Sequence, residues 1–490
     1  MERNLTLLTD LYELTMMQGY FINQNNNRRV IFEVFFRNNP FGNGYSITCG
    51  LEQAIDYIKN LSFTDGDIAY LRSTSLFRDD FLKHLSDFKF TGDIYAIPEG
   101  TVVFPREPIV KIVAPIDQAQ LMESALLNII NHQSLIATKA ARVVYAAGGA
   151  PVMEFGLRRA QGPDAGIYGA RAAVIAGCSG TSNVLAGKMF DIPTLGTHAH
   201  SWIMSFPSEY DAFKAYADIY PDSCTLLVDT YDTLHSGVPN AIKVFTEMRN
   251  SGHKLTHYGI RLDSGDLAYL TKKARIMLDE AGFNDAVISA SGDLDEYLIQ
   301  SLYAQEAPIG AWGIGTKMIT ASDQPSFGGV YKIAAIERPE GGFEPKIKIS
   351  ENSAKITNPG DKKVLRVYDD EGKVFADLIA LQDEEYDESQ PLELFSPVDT
   401  WKTTILEPGS YHLRPLLVPV FKDGKCVYDS PSTFEIRDYC KKEMDTLWDE
   451  SKRLVNPHEV YIDLSRPLYD MKQELLKTHR STVKTRISNK

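Results

Sequence analysis

The sequence predicts an α/β protein: an irregular, TIM-like α/β barrel with an N-terminal α+β domain and a C-terminal extension. Three observations carry that prediction. From residue 150 onward, short apolar runs alternate with helical stretches, the pattern of a parallel sheet built from βα units. Seven such runs fall within about 190 residues, a density that favours a closed barrel over an open doubly wound sheet. Nearly every run ends in Gly, Ser, Thr, Asp or Arg, the composition of a rim where a barrel does its chemistry. The expected boundaries are 1–125 for the N-terminal domain, 126–340 for the barrel and 341–490 for the C-terminal segment. That last segment is expected to return in part to the first domain or to form a third.

The elements follow in order. Residues 6–23 read as an amphipathic helix, with Asp10 as N-cap and Glu13 as its capping-box partner. "RRVIFEVFFRNNPFGNGYSITCG" reads as a strand and a glycine-rich turn, and "GLEQAIDYIKNL" as a helix. Residues 90–115 are apolar runs broken by Gly and Pro, an antiparallel β segment. A long helix is expected over 118–148, with no breaker before Gly148. The seven barrel runs are "PVMEF", "IPTLG", "CTLLVDT", "HYGIRLD", "AVISASG", "APIGAWGIGT" and "GVYKIAAIE". Residues 347–369 read as strands and turns, 432–454 as a helix, and the basic end 477–490 as a solvated, frayed tail.

Composition narrows the function. A chain of 490 residues, 43% apolar, can bury a large core without disulfides or metal. The net charge of -14 argues against a nucleic-acid binder, which needs a basic footprint. Cys49, Cys178, Cys224, Cys426 and Cys440 are scattered and form no C-x-x-C, which fits a reducing compartment. The N-terminus is too polar for a signal peptide and no 18-residue apolar run occurs, so a soluble cytoplasmic protein is expected, with no membrane partner.

The chemistry gathers at the run ends. There is no P-loop, no complete dinucleotide fingerprint, no G-x-S-x-G and no H-E-x-x-H. "ASGDLDE" (290–296) and "WGIGTKM" (312–318) are glycine-rich turns entering helices, where backbone N–H groups suit a phosphate. In "RLDSGDL", Asp263 and Asp266 can hold a magnesium ion through water and anchor ribose hydroxyls; alternatively Asp263 or Ser264 only caps the next helix. Arg261 can clamp a carboxylate with its planar fork. Arg158 and Arg159 follow the "PVMEF" run, and Asp229 can orient a histidine. "GTHAHSWIMSF" holds His198 and His200, readable as a metal pair, a nucleophile or structural histidines. Together these residues suit a phosphorylated sugar and an anionic second substrate.

"LLTDLYELTMMQGY", "FFRNNPFGNGYSITCGLEQAI", "EFGLRRAQGPDAG", "SNVLAGK", "GTHAHSWIMSF", "VDTYDT", "GIRLDSGDL" and "GIGT" together resemble the nicotinate phosphoribosyltransferases, with a looser match after residue 350. The resemblance implies the barrel of the type II phosphoribosyltransferase kind. It implies transfer of phosphoribosyl from phosphoribosyl pyrophosphate to nicotinate, coupled to ATP through a phosphohistidine, with Mg²⁺ as cofactor and no assigned metal ligands. By motif, His200 resembles the phosphorylated residue and Asp229 the acid that orients it, while His198 is structural. Tyr12, Phe155, Thr197 and Arg261 match nicotinate contacts. Arg158, Arg159, Asp263, Gly292, Gly313, Gly315 and Thr316 match the phosphoribosyl pyrophosphate site. A homodimer with shared active sites is implied, Tyr12 coming from the partner chain. A nicotinamide-specific relative is the nearest rival; "CSGTSNVLAG" offers Ser182 and Asn183 but no acid to meet an amide, which favours the acid substrate. A catalytically silent barrel is the rival from another class, and the retained charged set argues against it.

Overall fold

The computed structural model describes residues 4–350, 352, 355–397 and 401–488, with side chains up to residue 478. Two compact units emerge. One comprises Ile136–Pro325 with Ser432–Asp438; the other comprises Met1–Leu135, Ser326–Pro431 and Tyr439–Lys490.

The Ile136–Pro325 unit is built on six parallel strands: Val152–Glu154, Gly180–Thr181, Cys224–Leu227, Tyr258–Leu262, Val287–Gly292 and Ala311–Ile314. Their order across the sheet is second, first, sixth, fifth, fourth, third, a half-barrel arc. The irregular α/β barrel architecture is the one the sequence predicts, but its six strands form an open arc rather than the closed sheet expected from their density. Five of the expected runs supply strands directly. "IPTLG" contributes only a parallel bridge, Thr194 to Thr181, at the sheet edge.

These runs become strands because their branched side chains fit a pleated surface covered on both faces. Leu226, Val228, Ile260, Leu262 and Ile288 are buried with Phe213 and Phe245 from the covering helices. Each such side chain contributes roughly 1.5–3 kcal/mol by leaving water. The helix Leu267–Glu280 is capped by Asp266, whose carboxylate accepts the Tyr269 N–H at 3.0 Å. The sequence offered Asp263 or Ser264 for that cap; both are engaged elsewhere.

Several readings are corrected outside the parallel sheet. "GVYKIAAIE" is not a barrel strand: Gly329–Glu337 pairs antiparallel with Arg29–Phe36. It belongs to a seven-stranded sheet ordered 343–345, 329–337, 29–36, 110–115, 93–96, 418–422, 425–426. A six-stranded sheet from residues 362–464 completes the other unit, with one parallel pair, Val374–Leu381 beside Tyr461–Leu464. The expected long helix is two, Ile116–Leu121 and Glu123–Ala146. The N-terminal helix is Leu11–Ile22, and its capping box does not form. Glu13 is buried instead, accepting the Ser124 N–H at 3.0 Å and the Ser124 hydroxyl at 2.5 Å. The reading of 347–369 falls partly on 351, 353 and 354, outside the described residues. The basic end is helical, Arg466–Ser488, rather than a frayed tail; 489 and 490 lie outside the described residues. Among the described residues no helix is long and apolar enough to cross a membrane.

Candidate active site

Strand register sets the site. Leu227 pairs with Arg261, Ser291 with Gly313, and Ile314 with Glu154, so the C-terminal ends of five strands finish together. Side chains just past those ends converge because parallel strands all point their C-termini the same way.

Arg261 stands at the centre. Its Nε donates to Ser291 Oγ at 2.7 Å, Nη1 to Thr197 Oγ1 at 2.9 Å and Nη2 to Asp263 Oδ1 at 3.0 Å. Three of its five N–H donors are used, so two remain for a ligand. The guanidinium carbon lies 5.7 Å from the centre of the Phe155 ring. Ser291 also donates to Asp263. Burial alone would raise the Asp263 carboxyl, but the Ser291 hydroxyl and the Arg261 guanidinium outweigh it and hold the group below the usual carboxylate range.

The histidine and its acid lie beyond the strand ends, beside Arg261. His200 opens the short helix His200–Met204, and its side chain is 40% exposed. Its Nδ1 lies 3.0 Å from Thr230 Oγ1 and its Nε2 4.0 Å from Asp229 Oδ1. The Asp229 side chain is only 2% exposed. Its Oδ2 accepts the Asp263 N–H at 2.8 Å and the Ser264 hydroxyl at 2.7 Å, while Oδ1 is buried with no hydrogen bond among the described residues. A buried carboxylate oxygen left open toward an imidazole is costly unless the imidazole presents a proton to it.

His198 behaves differently. It is buried, accepts the Leu227 N–H at 3.4 Å through Nε2, and packs edge-on against Tyr216 with ring centres 4.7 Å apart. Burial, with the Arg261 charge, pushes its pKa down to about 4. It is a neutral, packed ring.

The glycines make room. Gly313 has no side chain because a Cβ there would lie 2.6 Å from the Phe155 ring. Gly292 has φ +116 and backs onto the Asp263 carbonyl, which a Cβ would approach to 2.9 Å. Gly315 N-caps the single turn Thr316–Ile319, leaving its N–H groups at the strand end. Arg158 and Arg159 form the 3-10 turn Leu157–Arg159 and are exposed. Tyr12 lies in the other unit, on Leu11–Ile22, 44% exposed.

Sequence reasoning missed the roles of four groups. Ser291 ties Arg261 to Asp263, Thr230 holds His200, and Ser264 holds Asp229. Glu154 is fully buried beneath Phe155; it accepts from the Thr181 hydroxyl at 2.5 Å and from the Gly156 N–H, and burial pushes its carboxyl up. A lone acid inside an apolar strand was the available signal for it.

Comparison with known proteins fits this geometry. Residues 7–131 match the nicotinate phosphoribosyltransferase N-terminal domain, 151–371 the nicotinate phosphoribosyltransferase family, and 361–472 its C-terminal domain. The nicotinate phosphoribosyltransferase of Bacillus subtilis (strain 168) is 46% identical over 98% of this chain and 97% of its own length. The crystal structure of human nicotinic acid phosphoribosyltransferase superposes with TM-score 0.83 at 28% identity, covering 96% of this chain and 100% of that one. Nicotinate-nucleotide pyrophosphorylase from Pyrococcus furiosus shares the fold, at TM-score 0.68 and 23% identity, covering 90% of this chain and 96% of that one.

Proposed function

The chain belongs to the nicotinate phosphoribosyltransferase family, and on that premise we propose that it joins nicotinate to phosphoribosyl pyrophosphate in the cytoplasm, coupled to ATP. The observation that carries the substrate reading is Arg261: a guanidinium beside the Phe155 ring with two donors unspent, which suits an aromatic carboxylate. Thr197 fixes one edge of that fork. Gly292, Gly313, Gly315 and Thr316 suit the 5-phosphate through backbone N–H groups, Asp263 the ribose, and Arg158 and Arg159 the pyrophosphate.

Displacement at the anomeric carbon passes through an oxocarbenium-like state while charge moves onto pyrophosphate. Arginine positioned where that charge develops lowers the barrier. Among the described residues no group of three or more His, Cys, Asp or Glu could hold a metal ion, so no all-protein cage is built. Asp266 is spent as a helix cap; Asp263 Oδ2 takes no hydrogen bond among the described residues and is the carboxylate oxygen that would meet a magnesium ion brought by the phosphates. That ion would supply charge neutralisation on the leaving group.

For the coupling step, the open Asp229 Oδ1 favours a proton on His200 Nε2. The lone pair then lies on Nδ1, which turns from the Thr230 hydroxyl to attack the terminal phosphoryl of ATP; ADP leaves and an Nδ1–P bond forms. Tyr12, exposed on its helix, suits a ring contact supplied across a homodimer; mixing Tyr12→Ala and His200→Asn chains should then restore coupled activity in hybrids.

The deciding experiment is nucleotide formation with nicotinate, nicotinamide and quinolinate as alternative acceptors. Nicotinate should be used best by kcat/KM. Preference for nicotinamide would transfer the reading to the amide-specific relative, and no product with any acceptor would leave a silent barrel.

A further inference from the structure

The unit that carries the antiparallel sheets contains a cavity of about 330 Å³ that no step above uses. That volume lies at the small end of the range for small-molecule sites. Phe35, Ile379, Leu464 and Tyr469 give it apolar walls, and Arg106 and Lys472 bring cations to it.

Arg106 is held there against its backbone preference. It occupies the third position of the Phe104–Glu107 turn, after Pro105, with φ +75. That turn geometry ordinarily selects glycine, because a side chain in the left-handed region crowds its own backbone. The turn is pinned on both sides: the Arg106 N–H donates to Phe36 O at 2.7 Å, and Glu107 Oε1 accepts the Phe104 N–H at 2.5 Å. The guanidinium itself makes no hydrogen bond or ion pair among the described residues. A strained residue whose charged end has no protein partner is a candidate for ligand contact.

The neighbouring charges are accounted for. Glu33 also lines the cavity; its Oε2 pairs with Lys362 at 3.1 Å, its Oε1 is buried without a hydrogen bond among the described residues, and burial pushes its carboxyl up, toward the neutral form. Lys362 is further held by the carbonyls of Asn358 and Gly360, at 2.9 and 2.8 Å. Lys472 has a single neutral partner, Asn358 Oδ1, at 2.8 Å. Burial, with the charges of Arg106 and Lys362, pushes the Lys472 ammonium down to about 8, the mark of a cation without a counter-charge. Among the described residues, two cations, Arg106 and Lys472, are left without a counter-charge.

We propose that the Arg106–Lys472 cavity binds a small phosphate monoester with an apolar or aromatic body. The arginine fork and the lysine point charge match a dianion, which a single carboxylate is not. The walls match the organic part. Inorganic phosphate shares the head-group chemistry but lacks the body, so it should bind more weakly.

The test uses the full chain, with phenyl phosphate as probe, titrated calorimetrically against the parent, Arg106→Gly and Lys472→Met. Arg106→Gly relieves the left-handed backbone, so its melting temperature should not fall and loss of binding there is not unfolding. Each substitution should weaken phenyl phosphate binding by about tenfold or more while leaving kcat and KM for nicotinate unchanged. Benzoate should bind the parent at least about tenfold more weakly than phenyl phosphate. Titrations unchanged by both substitutions, or no binding by the parent, would overturn the site. Equal binding of benzoate would overturn the phosphate assignment.

Discussion

Two arginines in two regions have opposite fates. Arg366 lies in the sheet formed by residues 362–464 and is fully buried. Its Nε and Nη2 grip Asp377 at 2.9 and 2.8 Å, Nη1 reaches Glu443 at 3.0 Å, and Nη2 also reaches the Val102 carbonyl at 2.7 Å. Burial alone would lower its pKa; the Asp377, Glu107 and Glu443 carboxylates raise it instead. Glu107 goes the other way, its carboxyl pushed well up by burial and by Asp377, so it favours its proton. Arg261 sits at the half-barrel rim with hydroxyls for most of its partners and two donors spare. A guanidinium saturated by carboxylates holds a fold together. One that is positioned but not saturated is available to a ligand.

The largest effect expected from disturbing the rim is at His200. His200→Asn should abolish acid-labile phosphate incorporation from labelled ATP altogether while slow, uncoupled nucleotide synthesis persists. Phosphate still appearing on the variant would move the nucleophile elsewhere. Next comes Arg366→Ala, which leaves Asp377 buried without its charged partner, while Glu443 keeps Arg414. It should cost about 3–5 kcal/mol in denaturant unfolding, and a loss below about 1 kcal/mol would sink the saturated-cluster reading.

Arg261→Ala sharpens the contrast. It should raise the KM for nicotinate about tenfold to a hundredfold, roughly 1.5–3 kcal/mol, with far less change in the KM for ATP. Its melting temperature should move much less than that of Arg366→Ala. Equal KM losses for both substrates would place Arg261 on phosphates instead.

The smallest effect is a slope against pH. Burial and the Arg261 charge hold the folded His198 at a pKa of about 4 against about 6.5 for an ordinary imidazole, so the unfolded chain binds the proton first. Its share of stability is present above about pH 6.5 and is lost as pH falls toward 4, by at most about 1.4 kcal/mol per pH unit. His198→Gln should flatten the stability profile in that window; an unchanged profile would assign the acid sensitivity to other groups.

The parallel sheet was legible because each βα unit prints its own strand and helix periods locally. Gly329–Glu337 was not, since an apolar run does not reveal which neighbour it will pair with or in which direction. Glu13 had the spacing of a capping-box residue, yet Ser124, far along the chain, captured it. In the site, Arg261, Asp263, Asp229 and His200 stood out as charged groups at strand ends. Ser291 and Thr230 did not, because a hydroxyl in a loop reads as ordinary solvated sequence until its partner is known, and Ser264 stood out only as a helix cap. The cap on Leu267–Glu280 was misplaced by two or three residues for a related reason: Asp263 and Ser264 are equally good caps until the rim claims them.

The missing side chain at Gly313 reaches beyond packing. Phe155 rests where a methyl group would otherwise be, so the depth available to a flat ring above it is set by the absence of one carbon. In the proposed function, charge is the task of Arg261, on another strand two places away in the sheet. Size tolerance and charge preference are therefore inherited through different codons. A lineage could drift toward bulkier or smaller acceptors at residue 313 and Phe155 while keeping its demand for an anion, or relax that demand while keeping the same slot.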